Sequence, residues 1–277
     1  MLTLARARLA KGSAGEPLPT VFRSLAADGV HIRRGQVSLI AAAPGVGKSL
    51  FALAVVLTCA SPGLYFSADT DAYTMYVRSG AMLTGWQTTE VETAVEYGNT
   101  ATIDAHLEAL THVRFDFSGR IDVDVLEEEL KAYASTYGEW PHVIVVDNLS
   151  NLDLPDAAEG YLALEQACDY LHEMARTTGA AVVALHHVIG AFDDGLTAVP
   201  MSGLRGKISK VPELILTLYR DASTGTEGLG RLFVCPVKNR TGRADPGGGW
   251  AIPLHYQPHR MTLKDIPMIT EAGKPVG

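Results

Sequence analysis

Short apolar runs alternate with longer amphipathic stretches along nearly the whole chain. Apolar runs bounded by polar residues predict strands, and apolar residues repeated at helical spacing predict helices that bury one face. An alternation of strands and helices is typical of a sheet whose strands run mostly parallel, so we predict an α/β fold. Strands are predicted at residues 36–42, 63–68, 113–117, 142–147, 180–186, 213–219 and 232–237.

The segments between these strands complete the pattern. Helices are predicted at 49–59, 71–83, 123–137 and 160–177, and Asp122 is placed to cap the third of them. Residues 84–110 are polar and helix-prone, which indicates an insertion between two strands. The loops 148–159 and 189–210 are long enough to suggest a function. A Gly-rich turn at 240–249 leads into a C-terminal antiparallel hairpin at 250–263.

The chain shows no repeat and no linker that divides it. We predict one domain over 21–277, preceded by residues 1–20 as an N-terminal arm or tail. The longest apolar stretches fall well short of the roughly 20 residues that a membrane span needs. Basic residues interrupt the apolar ones at the N-terminus, unlike in a secretory signal. The expectation is a cytoplasmic protein without membrane contact.

Composition and charge narrow the class. Hydrophobic residues make up 47% and charged residues 19%, as in ordinary globular proteins. A net charge of -8 argues against a surface that is basic all over, so any contact with nucleic acid must be local. Cys59, Cys168 and Cys235 lie far apart in apolar runs without metal-binding spacing, which predicts buried, reduced thiols.

The strongest motif is AAPGVGKS, from Ala42 to Ser49. It follows a predicted strand and precedes a predicted helix, the context that gives the pattern GxxxxGK[ST] its meaning as a phosphate-binding loop. Lys48 would reach the β and γ phosphates of ATP, and Ser49 would ligate Mg²⁺. Ala42 replaces the first glycine of the pattern. The residues predicted to bind the nucleotide are Ala43, Pro44, Gly45, Val46, Gly47, Lys48, Ser49 and Leu50.

Carboxylates follow two other predicted strands. Asp147 ends the run HVIVVD, at the edge of an α/β sheet where ligands bind, and is predicted to hold Mg²⁺ together with Ser49. ATP hydrolysis also needs a carboxylate that orients or deprotonates the attacking water. Asp69 and Asp71, at the end of GLYFSADTD, are the two candidates for that role.

Ala42 and the segment FSADT, followed by a helix that contains Arg78, resemble the ATPase domain of DnaB-type replicative helicases, within the RecA-like group. The resemblance implies a RecA-like core and places Asp69 where that family has its catalytic Glu. Because Asp is shorter by one methylene, about 1.5 Å, slow hydrolysis is expected. The alternative role for Asp69 is that of N-cap for the helix at 71–83.

The resemblance extends along most of the chain. AVVALHHVIG places His187 where the family usually has a Gln that senses the γ phosphate, and single-domain plasmid helicases have a His pair there. His186 would point to the other side of the strand. FVCPVKNRTG resembles the family's KQRNGP segment, which implies that Lys238 and Arg240 reach into the ATP site of a neighbouring subunit.

PMSGLRGKISKVPELILTLYRD resembles the family segment that follows the loop lining a central pore. The resemblance implies DNA contacts by Arg205, Lys207 and Lys210, the densest basic cluster of an acidic chain. The alternative for these three residues is an ordinary solvated surface.

The sequence thus favours a DNA-stimulated ATPase of the helicase or translocase kind, acting in phage or plasmid DNA replication or recombination. Its partners would be single-stranded or branched DNA and copies of itself in a ring or filament, a hexamer being favoured. One alternative is metal-dependent DNA cleavage by a cluster of Asp69, Asp71, Asp116 and Asp147. The other is an ATP-gated, DNA-binding assembly protein with slow turnover.

Overall fold

The computed structural model of the protein describes residues 15–155, 160–206, 208–221 and 230–267. The predicted N-terminal arm therefore lies mostly outside the described residues. Lys207, one of the predicted DNA contacts, also lies outside them.

Helices and strands are numbered in chain order. The helices are α1 (Arg23–Ala27), α2 (Lys48–Thr58), α3 (Ala72–Thr84), α4 (Thr88–Glu96), α5 (Ala101–Glu108), α6 (Val123–Tyr137) and α7 (Tyr161–Thr178). The strands are β1 (Val37–Ala42), β2 (Gly63–Ser67), β3 (Val113–Asp116), β4 (Ile121–Asp122), β5 (Val143–Asp147), β6 (Leu152–Asp153), β7 (Ala181–His187), β8 (Leu214–Arg220), β9 (Gly230–Asn239), β10 (Ile252–Gln257) and β11 (Thr262–Asp265).

A nine-stranded sheet forms the centre of the fold, in the order β11-β10-β9-β8-β1-β7-β5-β2-β3. The strands from β8 to β3 in this order run parallel to one another, whereas β9, β10 and β11 are each antiparallel to their neighbours. Strands β4 and β6 form a separate parallel pair. The predicted α/β class, mostly parallel sheet and C-terminal antiparallel hairpin are confirmed.

Each predicted strand and helix is present, and its ends differ from the predicted ends by at most two residues. Strands β1, β2 and β5 are buried along their whole length. Parallel strands covered by helices on both faces have nearly continuous apolar sequences, which explains why these runs were readable as strands. Asp122 caps α6 as predicted, because its carboxylate accepts the Asp124 N–H at 2.8 Å.

The insertion predicted at 84–110 forms α4 and α5, which pack against α3. A small core separate from the main one joins these helices, formed by Val77, Ala81, Val91, Ala94 and Ile103. Gly80 of α3 allows the close approach, since a Cβ there would lie 2.8 Å from Ile103 Cγ2.

The two long loops have local structure of their own. The loop after β5 starts with the 3-10 turn Leu149–Asn151, and the loop after β7 contains the 3-10 turns Gly190–Phe192 and Met201–Gly203. In the described residues no helix is both long and apolar enough to cross a membrane.

Replacing Ile103 by Ala should destabilise the helical insertion more than it destabilises the central sheet. The side chain is fully buried, and loss of such a side chain typically costs about 2–5 kcal/mol. Because its core is separate, we expect hydrogen exchange to accelerate in α4 and α5 while β1 and β7 stay protected. The exposed neighbour Thr102→Ala serves as the control. Equal acceleration in β1 and β7 would show that the two cores unfold together.

Candidate nucleotide site

The predicted phosphate loop connects β1 to α2. Gly45 and Gly47 have φ of +73° and +128°, a backbone region that favours glycine. Lys48 is the first residue of α2, and its Nζ donates to the carbonyl oxygens of Ala42 at 3.1 Å and Ala43 at 3.3 Å. The ammonium is therefore held against the loop at a helix N-terminus, where the helix dipole favours an anion.

Buried charge surrounds this loop. Burial lowers the pKa of Lys48, and the carboxylates of Asp147 and Asp69 oppose that shift. Burial also raises the pKa of Asp147, whose carboxylate accepts hydrogen bonds from the Tyr65 hydroxyl at 2.8 Å and from the Ser49 side chain. Carboxylate and hydroxyl oxygens are ligands that Mg²⁺ accepts beside a phosphate. Ser49 and Asp147 therefore fit the predicted metal site.

A cavity of about 320 Å³ opens beside the loop. Tyr256 lines it from outside the loop, and a Cβ on Gly47 would lie 3.6 Å from the Tyr256 ring. Sequence reasoning missed Tyr256, because the alternation of buried residues in β10 predicts only an inward-facing side chain. The cavity is lined by Gly45, Gly47, Lys48, Ser49, Leu50, Thr70, Arg78, Tyr256, Pro258 and Met261.

Asp69 lies just beyond β2 and is held by two amides. Its Oδ2 accepts from Asn148 Nδ2 at 2.5 Å, and its Oδ1 accepts from Asn151 Nδ2 at 3.1 Å. Asn148 Nδ2 also lies 3.3 Å from His187 Nε2. A polar network thus joins two of the predicted catalytic residues, and neither asparagine was predicted.

The other two carboxylates of the predicted cluster have local partners. Asp71 is the N-cap of α3 and accepts the Thr74 N–H at 2.9 Å, so the alternative that Asp69 caps this helix is wrong. Asp116 accepts the Ser118 N–H at 3.0 Å. Within the described residues no group of three or more Asp, Glu, His or Cys could hold a metal ion. The predicted metal-binding cluster of four aspartates is therefore wrong.

The two histidines at the end of β7 have different surroundings. His186 is buried, and its Nε2 lies 2.6 Å from the Arg205 carbonyl oxygen, to which a neutral ring donates. Burial lowers the pKa of His186 to about 4. His187 is half-buried beside Asn148, and burial followed by the charge of Lys48 lowers its pKa. Only His187 joins the network around Asp69.

Of the three residues predicted to bind DNA, the structure describes Arg205 and Lys210, and these two lie at different edges of the sheet. Arg205 is exposed, and its N–H donates to the His187 carbonyl at 3.3 Å, at the edge where the phosphate loop lies. The Lys210 carbonyl instead accepts from Lys238 and Arg240 at the opposite edge.

Lys238 and Arg240 lie far from the phosphate loop of the same chain. The backbone N–H of Arg240 donates to the carbonyl oxygen of Glu213. The backbone N–H of Glu213 donates in turn to the carbonyl oxygen of Val37, at the start of β1. The phosphate loop follows the other end of β1, five residues or about 16 Å along the strand. Burial lowers the pKa of Lys238. These two cations stand at the edge of the sheet opposite the cavity.

The loop after β7 also touches the phosphate loop. Gly195 has a φ of +65°, and a Cβ there would lie only 2.3 Å from Val46 Cγ2 and 3.5 Å from Ala43 Cβ. Its carbonyl accepts the Arg220 N–H at 2.8 Å, which fixes the glycine against the loop. Neither contact was predicted.

The profile of the AAA_25 family, described as an AAA domain, matches residues 14–189, more than half of the chain. The chain belongs to this family. Its relatives include the Gene 65 protein of Mycobacterium phage L5, 43% identical over 271 residues that cover 96% of this chain and 99% of the relative. The Gene 65 protein of Mycobacterium phage D29 is 40% identical over 233 residues, which cover 82% of this chain and 98% of the relative.

Solved structures share the fold at low identity. One ATPase domain of known structure aligns with a TM-score of 0.78 and 17% identity over 95% of this chain and 96% of that one. The structure of a DnaB-like replicative helicase, described together with its interactions with primase, aligns with a TM-score of 0.78 and 16% identity. The alignment covers 96% of this chain and 68% of that one. The KaiC-like protein PH0186 of Pyrococcus horikoshii aligns with a TM-score of 0.59 and 12% identity, over 91% of this chain and 100% of that one.

Family, fold and phosphate loop together make this protein a nucleotide-binding P-loop ATPase with the RecA-like fold of DnaB-type ATPase domains. That prediction from the sequence is confirmed.

Gly195→Ala should distort the phosphate loop. The new Cβ would overlap Val46, and since overpacking costs about 1–3 kcal/mol, we expect binding of a fluorescent ATP analogue to weaken roughly tenfold. Trimming the obstacle in a Gly195→Ala, Val46→Ala double variant should restore part of the affinity.

Gly98→Ala is the matched control, because Gly98 has a φ of +69° with no atom within 4 Å of an added Cβ. It carries the conformational cost of the left-handed backbone without the clash. Wild-type affinity in the Gly195 variant would mean that the loop yields without disturbing Val46.

Proposed function

We propose that this protein is an ATP-driven DNA helicase or translocase that acts as a ring of identical subunits in phage DNA replication or recombination. The phage relatives and the shared fold of DnaB-type ATPase domains support this reading. The observation that carries it is the position of Lys238 and Arg240 at the sheet edge opposite the cavity.

Nucleotide binding is assigned to the phosphate loop. Backbone amides of the loop and the Lys48 ammonium hold the phosphates, while Ser49 and Asp147 hold Mg²⁺. A bound Mg²⁺ neutralises the phosphate charge that opposes attack. Hydrogen bonds to the carbonyl oxygens of Ala42 and Ala43 hold the Lys48 ammonium, and the Tyr65 hydroxyl holds the Asp147 carboxylate.

Water activation is assigned to Asp69. Its carboxylate has two acceptor positions beyond those used by the two asparagines, which leaves room for the proton of a water. His187 contacts the same network and is proposed to respond to the γ phosphate. Its neutral ring suits that role, because burial and Lys48 both disfavour the charged form.

Completion of the site is assigned to a neighbouring subunit. Lys238 and Arg240 are too far along the sheet to reach the cavity of their own chain, and Arg240 is exposed. In a head-to-tail ring the edge that bears them faces the next subunit's cavity. The described Glu213 contact, 3.7 Å from Arg240 Nη1, holds the side chain at that edge.

DNA contact is assigned to the loop between β7 and β8, through Arg205, Lys207 and Lys210. Because Arg205 and Lys210 lie at different edges of the sheet, they would touch separate phosphates rather than one. The Arg205 backbone also binds both histidines at the end of β7, which offers a short route between DNA and the ATP site.

A second candidate is an ATP-gated DNA-binding assembly protein with slow turnover. It is favoured by the aspartate at position 69, whose side chain is one methylene shorter than that of a glutamate. The proposal of DNA cleavage loses its support with the aspartate cluster.

Mixing two inactive variants tests the shared site. Lys48→Ala lacks phosphate binding, and Arg240→Ala is expected to lose about 10³-fold or more in ATPase rate. In a random one-to-one mixture about a quarter of head-to-tail interfaces pair an intact Lys48 with an intact Arg240. The ATPase rate of the mixture should therefore recover to about a quarter of the wild-type rate. The exposed Lys131→Ala is the surface control. A mixture no faster than its components would refute the shared site.

DNA stimulation separates the motor from the assembly protein. We expect single-stranded DNA to raise the ATPase rate and forked substrates to be unwound. Arg205→Ala should weaken binding to all sequences alike and reduce the slope of log affinity against log salt by about one. ATP-dependent oligomers without stimulation or unwinding would favour the assembly protein and refute the helicase.

A further inference from the structure

Asn148 and Asn151 stand on one tight turn directly after β5. The turn Leu149–Asn151 is a 3-10 helix, and the Asn151 N–H donates to the Asn148 carbonyl at 3.0 Å. Asn148 is the N-cap residue of this helix, in extended backbone, and lies three positions before Asn151. The two side-chain amides meet at the same point, and Asp69 occupies it.

The orientation of the Asn148 amide follows from its partners. Its Oδ1 accepts the backbone N–H of Ser150 at 2.9 Å, and a backbone N–H can only donate. Its Nδ2 must then face Asp69 and His187, so its two hydrogens are directed to the Asp69 carboxylate and to His187 Nε2. His187 accepts there, which places its own ring hydrogen on Nδ1.

Both oxygens of Asp69 are thus bound by neutral donors from a neighbouring strand end. Asn148 is 3% exposed and fixed by Ser150, whereas Asn151 is more accessible. A carboxylate held at both oxygens cannot rotate about its last bond without breaking a hydrogen bond. Orientation matters here because the aspartate is short, and a misplacement near 1 Å can cost about 10²-fold in rate.

We propose that Asn148 and Asn151 are positioning residues that clamp Asp69 and fix the direction of its carboxylate for water activation. Asn148 also links Asp69 to His187, so a movement of β7 reaches the carboxylate through one side chain. This inference rests on the role of Asp69 under the proposed function.

Substitutions of Asn151 test the clamp, because this side chain is accessible and its loss should leave the fold intact. Asn151→Ala is expected to lower kcat roughly tenfold, with the KM for ATP and the affinity for a fluorescent ATP analogue within about twofold of wild type. Asn151→Asp keeps the shape but places a second carboxylate against Asp69, so kcat should fall further, by roughly a hundredfold. Asn99→Ala, an exposed asparagine in the helical insertion, is the control.

The order of the kcat values of Asn151→Ala and Asn151→Asp distinguishes a clamp from a side chain that only fills space. A side chain that only occupies volume predicts that Asn151→Asp resembles wild type, since the two residues have nearly the same shape. Unfolding temperatures measured alongside identify any loss that comes from the fold. Asn148→Ala should show the same split between kcat and KM with a larger loss, since it also removes the link to His187.

Asp69→Asn distinguishes failure of the clamp from failure of the proposed function. If Asp69→Asn loses activity but both Asn151 variants keep wild-type kcat, the clamp is wrong and the role of Asp69 stands. If Asp69→Asn itself keeps wild-type kcat, the water-activating role of Asp69 is wrong and the clamp falls with it.

Discussion

The register of the parallel strands is the constraint on which the rest of the site depends. Because β1, β7, β5 and β2 run in one direction, their carboxyl ends meet at one edge, and the pairs Ala42 with His187 and Ser67 with Asp147 stand side by side. Slipping one strand by a residue would turn its polar end residue to the opposite face. A slip would also move the buried side chains of β1, β2 and β5 out of their packed positions, so the core that stabilises the sheet also aligns the polar residues of the site.

The site keeps charge where folding alone would not. Lys48 and Asp147 are both buried. Burial lowers the pKa of Lys48 and raises the pKa of Asp147, so it favours the neutral form of each. Hydrogen bonds from Tyr65 and Ser49 and the carbonyls of the phosphate loop offset part of that cost. Functional sites commonly combine burial with such partners. A bound nucleotide would supply negative charge beside Lys48.

Much of this was readable from sequence, for a physical reason that also sets the limit. Strand positions, the phosphate loop and Asp147 depend on local pattern, and local pattern is what buried parallel strands and glycine-rich turns leave in a sequence. Residues that act through tertiary contact leave no such pattern. Asn148 and Asn151 look like ordinary turn asparagines until Asp69 is placed beside them, and Tyr256 looks like a core residue of a hairpin.

Charge proximity along the chain was the less reliable guide. Arg205 and Lys210 are five positions apart, yet the loop that carries them runs from one edge of the sheet toward the other. Asp69 and Asp71 are two positions apart, yet one faces the amides and the other caps a helix. Sequence neighbours diverge wherever the chain changes direction, which is where strands end.

The reversal of chain direction at β9 has a consequence for the stoichiometry of the proposed ring. An antiparallel strand carries its end to the far edge, so each subunit would have half a site on either side. A closed ring of n subunits then has n complete sites, an open chain has n minus one, and a single subunit has none. Hydrolysis per subunit would rise with protein concentration, and a dilute, unassembled pool would leave cellular ATP untouched.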